Sequence, residues 1–129
     1  MSNVIGRERL EGDRTLAALL THLHEDSPDI EASLIISRDG LMMAAHGTAN
    51  AVEQVCATFS GLFVSGAGAA GEIGHVELRE VILRSNRGFV VITGAGPVAI
   101  LVTVARNESN LGLIVLDARK AALSIAAAI

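Results

Sequence analysis

The sequence has 129 residues, with 14 acidic against 10 basic side chains and a formal net charge of −4. That length fits one domain around one core, and the acidic balance excludes the basic footprint that nucleic acid requires. Aromatics make up 2%, with neither Trp nor Tyr, so stacking platforms for single strands are missing too. Hydrophobic residues reach 50%, mostly small and aliphatic, which predicts that part of the surface is covered by a partner. Met1 to Arg9 is polar with mixed charge, lacks the apolar core of a signal peptide, and reads as a flexible N-terminal arm on a single domain spanning 1–129. No apolar run approaches the roughly 20 residues of a membrane helix. A lone cysteine, Cys56, cannot close an internal disulfide, so the expectation is a cytoplasmic protein.

Asp13 to Glu25 reads as an amphipathic helix, with Leu16, Leu19, Leu20 and Leu23 at helical spacing and Pro28 ending the segment. A hairpin follows, Ala32 to Ser37 and Leu41 to Ala45, turned by Arg38, Asp39 and Gly40. Asn50 to Gly71 reads as the central helix, with Asn50 as N-cap and Glu53 completing a capping-box-like pair. Val52, Val55, Cys56, Phe59, Leu62 and Phe63 are expected to face a sheet. The other face carries Gln54, Ala57, Gly61, Val64 and Gly68, small rather than charged. A glycine inside a helix costs up to ~1 kcal/mol relative to alanine, so this stripe is read as a close-approach dimer seam.

Three strands come next, Val76 to Arg84, Phe89 to Thr93 and Val98 to Ala105, joined by Asn86-Arg87-Gly88 and Gly94-Ala95-Gly96-Pro97. Turns this short require antiparallel neighbours. Inward positions shift phase from Val76 and Leu78 to Val81 and Leu83, which predicts a bulge near Arg79 and Glu80. Asn110 caps a last helix to Ile129, with Ile114, Ala118, Ala121, Ala122 and Ile125 on one face and a β-prone start at Leu113 to Leu116. The expected fold is α+β, an α/β sandwich of five antiparallel strands flanked by three helices in the order αββαβββα.

No catalytic, metal or cofactor site is expected. His22 and His24 point in different directions on one helix, and His46 and His75 fall at element ends, so zinc has no paired ligand spacing. Cys56, on an apolar face, reads as a small core residue rather than a nucleophile. Gly66 to Gly71 fits the letters GxGxxG but lies at a helix end, and Gly94 to Pro97 joins strands without a nucleotide-loop ending. Asp39, Glu72, Glu77, Glu80 and Asp117 form no obvious acid pair. Arg84 and Arg87 flank a hairpin tip and read as solubilising.

The element order, with Ser37-Arg38-Asp39-Gly40-Leu41-Met42-Met43-Ala44 and Asn110-Leu111-Gly112-Leu113, resembles the Roadblock/LC7 family in its bacterial stand-alone form, over about Leu10 to Ile129. The resemblance implies a profilin-like fold and a homodimer that pairs central helices and joins sheets edge to edge. The interface then falls on Gln54, Ala57, Gly61, Val64 and Gly68 and on Val76 and Leu78 of the third strand. It also implies a partner, a small Ras-like GTPase of the gliding-motility type, whose hydrolysis such relatives often stimulate by positioning the GTPase's own catalytic groups. Glu53, Gln54, Thr58 and Ser65 are the partner-facing residues on this reading. The alternatives are an architectural subunit of a larger assembly and a small-molecule sensor of profilin or PAS type, which would want more inward polar residues.

Overall fold

Thr15 opens the first helix by accepting a hydrogen bond from the Ala18 amide at 3.2 Å. The structure, a computed structural model, describes residues 15–47, 52–75 and 77–129, the side chains of 52–54 excepted. Its elements are α1 (Leu16–Asp26), β1 (Ile30–Ser37), β2 (Met42–Gly47), α2 (Val52–Glu72), β3 (Glu80–Ser85), β4 (Gly88–Ala95), β5 (Ala99–Arg106) and α3 (Leu111–Ala128). The strands form one antiparallel sheet in the order β2-β1-β5-β4-β3, which leaves β2 and β3 as its edges.

Strand alternation divides the core in two. On one face Ile35, Phe89, Val91, Ala99 and Leu101 meet Leu20 and Leu23 of α1 and Ile114, Ala118, Ala122 and Ile125 of α3. Ser27 Oγ, just past α1, donates to Asp117 on α3 and ties the two helices. On the other face Leu34, Ile36, Ile92, Ile100 and Val102 meet Cys56 and Phe63 of α2, with Phe59, Leu78, Val81 and Val90 packed partly buried against them. Asn110 Oδ1 accepts from the Leu113 amide at 3.2 Å, so the β-prone Leu113–Leu116 is held as the first turns of α3.

The first hairpin turns at Gly40, φ +90°, with Leu41 N donating to Ser37 Oγ at 3.0 Å. Its strands run further than expected, starting at Ile30 and ending at Gly47. β3 is shorter than expected. Residues 77–79 are not strand, because Leu78 turns into the α2-side cluster instead of alternating along the ladder. That entry explains how Leu78 and Val81 pack on one face, and no bulge is needed: the β3–β4 register runs unbroken from Glu80 opposite Thr93 to Ser85 opposite Gly88. The register shifts lie in β1, between Ile35 and Ile36 against β2 and between Ile30 and Ala32 against β5. Asn50, Asp13 and the arm at 1–9 lie outside the described residues.

Candidate functional site

Burial along α2 separates the face the sheet uses from the face it leaves. Cys56, Ser60 and Phe63 are buried and Phe59 is partly so, and Ser60 Oγ donates to the Arg38 carbonyl at the first hairpin. Val55 and Leu62, expected against the sheet, are instead exposed, each at 37%. At 100° per residue they sit about a third of a turn from the Cys56–Ser60–Phe63 stripe, too far round to reach the strands. Ser60 takes the place they were assigned.

Thr58, Gly61, Ser65 and Gly68 form the outermost crest of α2, with Ala57 and Val64 on one flank and Val55 and Leu62 on the other. All eight are exposed, Val64 at 51%. From Val55 to Gly71 the helix carries no charged residue. A Cβ built on Gly61 or on Gly68 meets nothing within 4 Å, whereas one on Gly66 comes 3.1 Å from Leu78 Cδ2 and 3.2 Å from Val81 Cγ2. Gly66 is therefore a packing glycine, and the other two face open space. Ala57 lies under the hairpin turn, its Cα 2.9 Å from where a Cβ on Gly40 would stand. Glu53 and Gln54 belong to the first turn of α2, but their side chains, like the whole of Val76, lie outside the described residues.

The β3 edge continues this surface. Leu83 shares the α2-facing side of the strand with Val81 and is 37% exposed, and Ile82 on the opposite side is 42% exposed. Leu78, assigned to the edge, packs partly buried beside α2. Together, an uncharged helix crest and an unpaired strand edge adjoin on one flank of the domain. Such a surface offers apolar area and backbone hydrogen-bonding groups, which suits protein association and supplies no reacting group.

Among the described residues, no group of three or more His, Cys, Asp and Glu is placed to hold a metal ion. Cys56 is fully buried in the α2-side core. Gly66 to Gly71 lie inside α2 and Gly94 to Gly96 at the β4–β5 turn. No helix among the described residues is long and apolar enough to cross a membrane. Arg84 and Arg87 are exposed beside the β3–β4 turn.

One cluster escaped the sequence reading. His24 of α1 bonds Ser33 Oγ of β1 through Nε2 at 2.8 Å, and its ring lies 4.1 Å from that of His46 on β2. Burial, and then the neighbouring His46, lower the His24 pKa from 6.5 to about 4. Nothing local in the sequence joins residues 24 and 46; they meet because Ser33 pairs with His46 across the β1–β2 ladder.

The Roadblock/LC7 domain model matches residues 16–105. No curated protein matches the chain in sequence. Among solved structures, the gliding protein MglB of Thermus thermophilus is 18% identical with a TM-score of 0.81, over 88% of this chain and 87% of that one. A Roadblock/LC7 domain from Streptomyces avermitilis is 22% identical with a TM-score of 0.78, over 84% and 92%. A Schizosaccharomyces pombe profilin is 17% identical with a TM-score of 0.65, over 83% and 93%. At these identities the likeness is one of fold.

Proposed function

Because the chain belongs to the Roadblock/LC7 family, we propose that it is a homodimeric, non-enzymatic regulator of a small Ras-like GTPase. The observation that carries this reading is the crest of α2. Thr58, Gly61, Ser65 and Gly68, with Val55, Leu62 and Val64 beside them, leave a helix face that is uncharged and not covered by any of the described residues. Two copies brought together there bury apolar flanks at a seam of glycines, where helix axes approach to about 8–10 Å or less. Gln54, Ala57, Gly61, Val64 and Gly68 form the seam, and the β3 edge, where Ile82 and Leu83 are exposed, extends it; Leu78 packs inward beside α2 and takes no part.

The GTPase reading rests on the family resemblance and on the likeness to a gliding protein, an argument from fold. It places the partner across the paired helices, against Glu53, Gln54, Thr58 and Ser65. On this reading the protein supplies no catalytic residue of its own and acts in the cytoplasm by holding the GTPase in a productive arrangement. Titrating the purified chain into a Ras-like GTPase of its own cell, in the GDP and GTP states, tests it. The expected outcome is a complex of two copies with the GTPase and a changed hydrolysis rate. Absence of a complex in both states would leave a purely architectural subunit as the better reading.

A further inference from the structure

A cleft of about 550 Å³ opens between the segment leading into β3, the β4–β5 turn and the C-terminal half of α3. Small-molecule sites range over about 300–1,000 Å³ and combine apolar walls with a few placed polar groups. Leu78, Leu123 and Ala126 supply apolar wall here, and Arg38, Arg79 and Arg119 line it together with Glu77 and Glu80. Three arginines against two glutamates leave one net positive charge in a chain whose total is −4. Arg119 is engaged by Glu80 through two hydrogen bonds.

Two polar atoms of this lining have no partner among the described residues. Thr93 is 4% exposed, and its Oγ1 is buried without a hydrogen bond. Arg38 donates through one terminal nitrogen to the Gly96 carbonyl at 3.0 Å and stacks 5.2 Å from the Phe63 ring centroid, yet its Nε is also buried and unbonded. A guanidinium N–H can only donate, so what satisfies Arg38 must bring an acceptor oxygen. Buried polar groups left unmade cost free energy, and these two belong to residues that line the cleft.

We propose that this cleft binds a small organic monocarboxylate with an apolar body. A single negative charge matches the net charge of the lining, the carboxylate oxygens answer the Arg38 donor, and the aliphatic part lies along Leu78, Leu123 and Ala126. A phosphate ester meets the wrong balance, because its second negative charge has no counterpart beside Glu77 and Glu80. The site is separate from the crest of α2, and its test does not depend on the GTPase reading.

Octanoate, 1-octanol and inorganic phosphate serve as probes, titrated into the isotopically labelled full-length chain and followed by NMR. Octanoate is expected to shift the Thr93, Gly94 and Ala126 amides and the Arg38 Nε–H saturably, with the other two probes at least about tenfold weaker, the discrimination of a charge-assisted hydrogen bond. Leu123 is 75% exposed, so substitution there leaves the core packing intact. Leu123→Asp is expected to bind octanoate about tenfold more weakly than Leu123→Lys, as like and opposite charge at the mouth dictate. Thr93→Val, close to isosteric, should weaken it about fivefold by losing one hydrogen bond. Shifts confined to α2, equal affinity for 1-octanol, no saturation at millimolar octanoate, or identical Leu123 variants would each overturn the assignment.

Discussion

Replacing Gly61 by leucine separates the fate of the domain from the fate of its assembly. A Cβ at this position meets nothing within 4 Å among the described residues, so the domain leaves room there for a larger side chain. Gly61 lies inside α2, where losing glycine's backbone entropy stabilises a helix by about 0.5–1 kcal/mol. At a two-fold seam the same change enters twice. Overpacking a close contact costs about 1–3 kcal/mol per site, hence roughly 2–6 kcal/mol per dimer. At about 1.4 kcal/mol per decade, dimer affinity falls roughly 30-fold to beyond 10⁴-fold. Sedimentation velocity over a concentration series reads the dissociation constant, and circular dichroism melts at high dilution read the monomer. The expected pair is a weaker dimer and a monomer at least as stable. An unchanged dissociation constant with a normally folded monomer would refute the seam. Gly66→Leu serves as the contrast, since Leu78 and Val81 already stand 3.1–3.2 Å from its Cβ position and the fold itself should suffer.

His24 is held near pKa 4 against 6.5 when unfolded, so its neutral form favours the fold. That contribution is complete above pH 6.5 and drains away as pH falls towards 4, while His24→Gln should flatten the fall; superimposable Tm-versus-pH profiles for the two proteins would contradict it. Gly88 has φ +146°, and a Cβ there would stand 2.1 Å from the Ala105 carbonyl oxygen, so Gly88→Ala should destabilise by about 2 kcal/mol or more in urea; a midpoint within error of wild type would show that the β4–β5 ladder relaxes freely. Asn110→Ala removes the cap on Leu113 and should cost about 1 kcal/mol; an unchanged urea midpoint would mean that packing alone starts α3.

Local patterns carried the element order. Leucines at helical spacing, Asp39-Gly40, and the capping Asn110 each act within a few residues, so the sequence displays them directly. What it concealed was set by contacts between distant segments. Val55 and Leu62 read as core because they are large and apolar, but they lie round the helix from its buried stripe, where Ser60, bonded to Arg38, stands instead. Residues 77–79 looked like strand because Val76 and Leu78 alternate, and only the pocket beside Gly66 draws Leu78 out of the ladder. The uncharged outer face of α2 was legible for a different reason: it is written in composition, and the exposed crest of the helix keeps that pattern. The His24–His46 contact and the cleft around Thr93 depend on strand order and register, which no short motif encodes.

Disulfide trapping at the crest examines the helix pairing without relying on affinity. Cys56 is fully buried, so Gly61→Cys places one accessible thiol at the middle of α2, and Lys120→Cys places one on the far side of the domain. Under mild oxidation the Gly61→Cys protein should convert to a covalent dimer of unchanged fold while Lys120→Cys stays a single chain. Equal or preferential linkage through position 120 would mean that two copies do not meet along α2.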